Sequence, residues 1–293
     1  MTLPVAILAG GLATRLGPVT AALPKSLVDV AGRPFAVEQL ELLRQNGLTD
    51  IVFCLGHLGE QVEAALGDGR AWGVRLHYVY DGPQLLGTGG ALLRALPLLG
   101  QAFFVLYGDS YLDCDYAAAA AAFHASGRLG LMTVFRNAGQ WDSSNVHYHQ
   151  GRILRYDKRQ RTPEMQHIDY GLGILTAEAL RRYPPGQVLD LASVYQDLLA
   201  ADQLAAYETQ QRFYEIGSPA GLAETRRYLQ DRRKLTDDLR AAASGRGPPH
   251  PGSVGCGSHR AAGVSARRPA RPRRTFIFPG RRRQRRQLLA RRQ

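Results

Sequence analysis

Short apolar runs alternate with amphipathic stretches along the chain, and that alternation limits the fold more than any other feature. VAILAG, residues 5–10, reads as a buried strand. PFAVEQLELLRQNG follows with apolar spacing near 3.6, and Gly47 is placed to end the helix. DIVFCLG, VRLHYVY, AFFVLYGD and LGLMTVFR read as further strands. Between them lie helical HLGEQVEAALGDG, GGALLRALPLLG and YAAAAAAFHASG. This rhythm predicts an α/β fold: a doubly wound, mainly parallel sheet with right-handed crossovers. Residues 144–175 lose the long helices, so a small antiparallel excursion is expected there. DLASVYQDLLAADQ as a helix, LAAYETQ as a strand and a last helix ending near Lys234 close the domain.

A chain of 293 residues, 45% hydrophobic, has enough apolar material for a real core. The N-terminus lacks a basic region before its short apolar run, so a signal peptide is not expected. Nothing approaches the run of about 20 apolar residues that spans a bilayer. Cys54, Cys114 and Cys256 are odd in number and widely spaced, which suits neither a zinc site nor a disulfide framework. A cytoplasmic protein is expected.

The net charge of +12 is unevenly spread. Residues 235–293 hold 15 arginines against Asp237 and Asp238, a net of +13, and residues 1–234 are nearly balanced at −1. Two regions are expected: a folded domain over 1–234, and an Arg/Gly/Pro-rich, disordered tail over 235–293. The folded part has no basic excess for specific nucleic-acid binding. The tail could hold polyanions nonspecifically. An abrupt switch to arginine without lysine is also what a shifted reading frame in GC-rich DNA produces.

In open α/β sheets, ligands sit outside the carboxyl ends of the strands. The loop GGLATRLGPVTAALPKSL, residues 10–27, leaves the first strand there. Its adjacent glycines let backbone N–H groups approach an anion, and Arg15 and Lys25 add charge suited to phosphate oxygens. The spacing is neither G-x-G-x-x-G nor G-x-x-x-x-G-K-[ST]. Asp109, in YGDSYL, stands at a strand end on the same rim. It is a turn former or, facing phosphates, a natural Mg²⁺ ligand. LGTGGALL is a second glycine loop entering a helix. In YEIGSP, Glu215 precedes a helix-start signature formed by Ser218 and Pro219.

GGLATRLGPVT, PKSL and VAGRP, followed in order by LGTGGAL, GDS, RYDK and YEIGSP, resemble the signature of the sugar-phosphate nucleotidyltransferases over about residues 3–230. Among its branches the chain is most similar to the bacterial heptose-1-phosphate guanylyltransferases and N-acetylmuramate-1-phosphate uridylyltransferases. The resemblance implies a Rossmann-like fold and a reaction of NTP with a sugar 1-phosphate, giving NDP-sugar and pyrophosphate. The expected form is guanylyl transfer to a heptose or mannose 1-phosphate for cell-surface polysaccharide synthesis. The alternative is uridylyl transfer to an amino-sugar 1-phosphate. It also implies roles. Arg15 and Lys25 are catalytic, on the leaving and α-phosphates. Leu8, Ala9, Gly10, Gly11, Gln84, Gly87 and Thr88 bind the nucleotide. Lys158 binds the sugar phosphate, with Asn145, Asp157 and Tyr170 as further substrate contacts. Asp109 and Glu215 hold Mg²⁺, or Mn²⁺ in its place. The partners are the two small substrates, and a homo-oligomer is left open.

The chain departs from the family pattern in three places. Glu215 replaces the usual aspartate, DYGLGIL lacks the asparagine many relatives carry, and SSNVH replaces a frequent Y-G-V. Tyr170 also reads as an ordinary strand aromatic, which is the commoner case. Two further alternatives stand: a catalytically weak regulatory homologue, which Glu215 would suit, and a glycosyltransferase using an NDP-sugar. For the glycosyltransferase, DCD at 113–115 is the formal metal motif.

Overall fold

The computed structural model describes residues 2–11 and 22–243. The β1 strand, Val5–Leu8, is buried on both faces, as its unbroken apolar run requires. The chain then makes a short 3₁₀ turn at Lys25–Leu27 and a hairpin of β2 (Asp29–Val30) and β3 (Arg33–Pro34). Helix α1 (Phe35–Gln45) ends beside Gly47, whose φ of +75° is the left-handed conformation expected just past a helix. Next come β4 (Asp50–Leu55), α2 (Gly59–Leu66), β5 (Arg75–Tyr80), α3 (Gly87–Leu99), β6 (Ala102–Tyr107) and the two-residue β7 (Ser110–Tyr111).

Helix α4 (Tyr116–Ser126) is alanine-rich, a composition with the best intrinsic helix propensity, and it buries Tyr116, Ala119 and Phe123, with Ala120 and Ala122 packed at the margin. Then follow β8 (Gly130–Arg136), β9 (Val146–His149), β10 (Arg152–Tyr156), β11 (His167–Thr176), α5 (Ala177–Arg181), α6 (Leu191–Ala200), β12 (Leu204–Thr209), β13 (Tyr214–Glu215) and α7 (Pro219–Ala243).

The main sheet runs β5-β4-β1-β6-β11-β8-β12, with β9 and β10 attached beside the first half of β11. The pairings β5–β4, β4–β1, β1–β6 and β8–β12 are parallel. β11 alone runs against its neighbours β6 and β8. The expected antiparallel excursion is therefore not set apart. Its last strand is driven into the middle of the sheet, and a register shift between Asp169 and Gly173 lets one strand serve both places. The sequence reason is that LGIL is apolar on both faces, which suits a central strand, while HID before it is not.

Alternate residues of β1 divide two apolar layers. Val5 and Ile7 join Leu40 and Leu43 of α1 and Tyr116 and Phe123 of α4. Ala6 and Leu8 join Leu92 and Leu99 of α3 and Leu198 of α6. Each fully buried Leu, Ile or Phe contributes roughly 1.5–3 kcal/mol relative to exposure, so these layers dominate the fold's stability. A third, smaller cluster lies under α7, where Leu222 and Leu229 meet Val28, Val30, Phe35 and Ile216.

Helix α7 also binds the hairpin by charge. Arg226 donates to the Asp29 carbonyl, and Arg233 to the Ala31 carbonyl and to Glu38. It continues past Lys234, where the sequence suggested an end, because LTDDLRAAA contains no breaker before Gly245. Among the described residues no helix is long and apolar enough to cross a membrane. The expected tail lies outside them, except for the end of α7.

From Lys234 to Arg240 the side chains of α7 are exposed, including Leu235 and Leu239. A chain ending at Ala243 should therefore keep the parent's thermal midpoint within about 2 °C, since a loss near 1 kcal/mol would already move it by a few degrees. Binding to a polyanion, steeply salt-dependent in the full chain, should vanish. Calorimetry and a salt titration check both, and a lower midpoint on truncation would show that the removed segment packs on the body.

Candidate active site

The sheet order changes direction at β1. From there the chain steps outward through β4 and β5, then returns to the other side of β1 with β6. Helix α1 lies on one face and α3 on the other, so a crevice opens between the ends of β1 and β6. Register brings these ends level: Leu8 pairs with both Tyr107 and Cys54, and Cys54 with Val79. The resulting cleft, about 240 Å³, is lined by Leu8, Ala9, Gly10 and Gly11 from the first loop. Lys25, Asp81, Leu85, Gly87, Thr88, Tyr107 and Asp109 complete most of its wall.

The floor is backbone against backbone. A Cβ on Gly56 would lie 2.7 Å from the Gly10 carbonyl oxygen, and one on Gly108 2.8 Å from the Ala9 Cβ. Gly87 adopts φ +72°, and a Cβ there would lie 2.6 Å from the Leu189 carbonyl oxygen. The Gly108 N–H donates to the Leu8 carbonyl at 2.8 Å. The Gly10 and Gly11 N–H groups have no partner among the described residues.

Lys25 Nζ meets Asp109 Oδ2 at 3.1 Å across this cleft, with side chains 19% and 27% exposed. The sequence placed these two 84 residues apart, and the structure joins them. Arg15 lies outside the described residues. Gln84 is exposed and does not line the cleft. Thr88 lines it but spends its hydroxyl elsewhere, accepting from the Leu191 N–H at 2.8 Å and donating to Asp190 at 3.1 Å.

Glu215 arrives beside Asp109 through the β13–β7 ladder, where it pairs with Ser110 and the Ile216 N–H donates to the Asp109 carbonyl. Its carboxylate turns away. It accepts from the Gly217 N–H and from the Ser218 hydroxyl, and so satisfies the start of α7.

At the far end, Lys158 Nζ lies 3.6 Å from Asp169 Oδ2 and over the rings of Tyr107 and Tyr156. Asp169, which the sequence did not mark, is the hub. It accepts from the Tyr156 hydroxyl at 3.0 Å and the Gly171 N–H at 3.1 Å, and Asn145 Oδ1 accepts its backbone N–H at 2.9 Å. Tyr107 lines the cleft and its ring lies beneath Lys158, which is not itself part of the lining.

Asp157 folds back to accept the N–H groups of Arg159 and Gln160, which hold its carboxyl below the usual range. Tyr170 needs correcting as a substrate contact: it is 2% exposed and packs against Phe135 and Phe213 in the core. The DCD acids are also engaged. Asp115 caps α4, and Asp113 accepts from Tyr228 and pairs with Arg232.

Cys54 lines the cleft, but burial pushes its thiol up to about 12, so it is no nucleophile at neutral pH. The donors suit Mg²⁺ held largely by substrate phosphates. Asp109 presents to the cleft a carboxylate paired with Lys25, and the described residues contain no cluster of three metal-ligating side chains.

A doubly wound sheet with a glycine-floored, charge-paired cleft at its switch point defines a nucleotide-binding α/β protein. The Nucleotidyl transferase family model matches residues 5–144. Mannose-1-phosphate guanyltransferase of Schizosaccharomyces pombe is 30% identical over 246 residues, 81% of this chain and 68% of that protein. The chain belongs to the nucleotidyl transferase family. N-acetylmuramate alpha-1-phosphate uridylyltransferase of Neisseria meningitidis is 46% identical over 114 residues, 39% of this chain and 49% of that protein. With that relative and a cyanobacterial UTP–glucose-1-phosphate uridylyltransferase, the match spans only about half the relative's length. A Bacillus anthracis structure titled as a putative glucose-1-phosphate thymidylyltransferase shares the fold, with a TM-score of 0.69 at 20% identity, covering 78% of this chain and 96% of that one.

Asp81 offers a check on the cleft's electrostatics. Burial raises its carboxyl above the ordinary 3.8, against the lowering effects of the Leu86 N–H and Arg94. The folded state thus holds this proton more tightly than the unfolded chain, and stability falls as pH rises from the ordinary value through the raised one. Asp81→Asn should have a thermal midpoint at or above the parent's at pH 7, with no advantage near pH 3. A midpoint clearly below the parent's at pH 7 would show that the charge is stabilising.

Proposed function

We propose that the chain transfers a nucleotidyl group from an NTP to a sugar 1-phosphate, releasing pyrophosphate. The observation that carries this reading is the Lys25–Asp109 pair over a glycine floor, in a cleft whose far wall leads to Lys158. A sugar-phosphate oxygen attacks the α-phosphorus as the bond to the leaving pyrophosphate breaks, so no protein nucleophile is needed. Catalysis then consists of positioning and charge stabilisation. The Gly10 and Gly11 N–H groups and Lys25 supply positive charge to the phosphates. Lys158, steadied by Asp169, holds the acceptor phosphate. Asp109 is the residue that would hold Mg²⁺, which when bound offsets charge on the phosphate oxygens. Glu215 serves first as a cap for α7, placing the ladder next to Asp109.

Guanylyl transfer to a mannose or heptose 1-phosphate fits the likeness to the fission-yeast guanyltransferase, which extends over most of the chain. Uridylyl transfer to an amino-sugar 1-phosphate is favoured by the higher identity to the Neisseria uridylyltransferase over a shorter stretch. Pyrophosphate release from four NTPs crossed with these sugar phosphates decides between them, and no release from any pair would end the proposal.

Two variants test the assignments. Lys25→Ala should lower kcat by about 10²-fold or more with a smaller change in NTP binding, as loss of one preorganised electrostatic donor does. Activity within a few-fold of the parent would remove Lys25 from the chemistry. Glu215→Asp, one methylene shorter, should weaken the cap on α7 and lower the thermal midpoint while retaining much of the turnover. A near-dead Glu215→Asp of unchanged stability would instead place this carboxylate at the reaction.

A further inference from the structure

Gln39 lies on the inner face of α1, 2% exposed, and does not line the cleft. Its Nε2 donates to the carbonyl oxygens of Tyr107, at 3.0 Å, and Ser110, at 2.7 Å. Those two carbonyls bracket Gly108 and Asp109, the turn that carries the cleft carboxylate paired with Lys25. The amide oxygen Oε1 is buried with no partner among the described residues. An unpaired buried acceptor is costly, and flipping the amide would set an oxygen against two carbonyls. A leucine would fill this space without that cost. What only an amide provides here is a two-pronged donor across the turn.

Besides the ladder pairs Tyr107–Leu8 and Ser110–Glu215, main-chain bonds run from the Gly108 N–H to the Leu8 carbonyl and from the Ile216 N–H to the Asp109 carbonyl. These fix where the turn lies along β1 and β13. The Gln39 amide ties its two ends to each other, and so holds the backbone from which the Asp109 side chain leaves.

We propose that Gln39 is a positioning residue for Asp109: it closes the 107–110 turn from beneath and sets the direction in which the carboxylate enters the cleft. The proposal rests on the reading of this site as a nucleotidyl-transfer site in which Asp109 meets a nucleotide-bound divalent cation. A loosely held carboxylate meets such a cation in fewer of its orientations, and a displacement near 1 Å is enough to cost about 10²-fold in rate.

The test is Gln39→Met, which keeps length and apolar volume and removes both donors. Binding of Mn²⁺–GTP or Mn²⁺–UTP to the protein is followed by water-proton relaxation enhancement, against the same Mn²⁺–nucleotide without protein, alongside steady-state kinetics. The variant should bind Mn²⁺ about tenfold or more weakly. Its kcat should fall, and be partly restored at high metal, while the KM for the sugar phosphate changes little. Gln39→Glu, equally long and also without the donor pair, should behave alike and serves if the methionine variant does not fold. Val37→Ala, a core truncation on the same helix, is the stability control. It should lower the thermal midpoint and leave Mn²⁺ affinity at the parent's value.

Parental Mn²⁺ affinity in both Gln39 variants overturns the proposal. So does an equal loss in Val37→Ala, or a parent that binds no Mn²⁺ in the presence of nucleotide. A parent that binds Mn²⁺–nucleotide, loses that binding on Gln39 substitution, yet releases no pyrophosphate with any sugar phosphate would sustain the positioning role and refute the reaction.

Discussion

The close approach of two turns, one after β1 and one after β6, governs the cleft. Leu8 and Tyr107 are level in the ladder, and the next residues touch through main chain, with Gly108 against Ala9. Any side chain at 108 would push these turns apart by more than the packing tolerates. At this contact the long Lys25 side chain reaches Asp109 at 3.1 Å, and neither side chain is deeply buried. The placement of charge is thus a property of the sheet's register, with the side chains as its last few ångströms.

Around that contact the acidic residues fall into two groups. Asp115, Asp157, Asp190 and Glu215 accept backbone N–H groups at helix starts or in a loop, and Asp113 is bound by Tyr228 and Arg232. Asp81 and Asp109 face the cleft. A buried carboxylate such as Asp81 is a cost to the fold, and among the described residues Asp109 pairs with Lys25 and accepts from the Ser110 hydroxyl. Away from the cleft, main-chain N–H groups thus serve several acids, and arginines serve others such as Glu38 and Asp202.

Much of this was legible in the sequence. Buried parallel strands must be apolar throughout, so VAILA, DIVFCL and AFFVLY could be found, and Asp109 could be placed at a strand end. The position of β11 could not, because pairing between strands distant in the chain leaves no local mark. The direction of the Glu215 carboxylate was equally hidden, since an extra methylene adds reach without an aim. Tyr170 entered as a substrate contact only through the resemblance, and its burial agrees with the other reading, an ordinary strand aromatic. Gln39 acts through contacts with residues far away in sequence, and Asp169 opens DYGLGIL, where only the missing asparagine drew notice. Arg15 remains an expectation outside the described residues.

The seat of β11 bears on how the chain is born. β6 and β8 leave the ribosome before the strand that separates them in the finished sheet. Until residues 167–176 arrive, β6 has an open hydrogen-bonding edge, and β8 has no neighbour among the strands already made. An unpaired apolar edge is a template for another chain, so the nascent protein passes through an aggregation-prone interval. It ends when an antiparallel strand slides into the waiting slot and β12 covers the far side. Assembly of the sheet is therefore a late, non-local closure, and a slow one by comparison with the βαβ units that precede it.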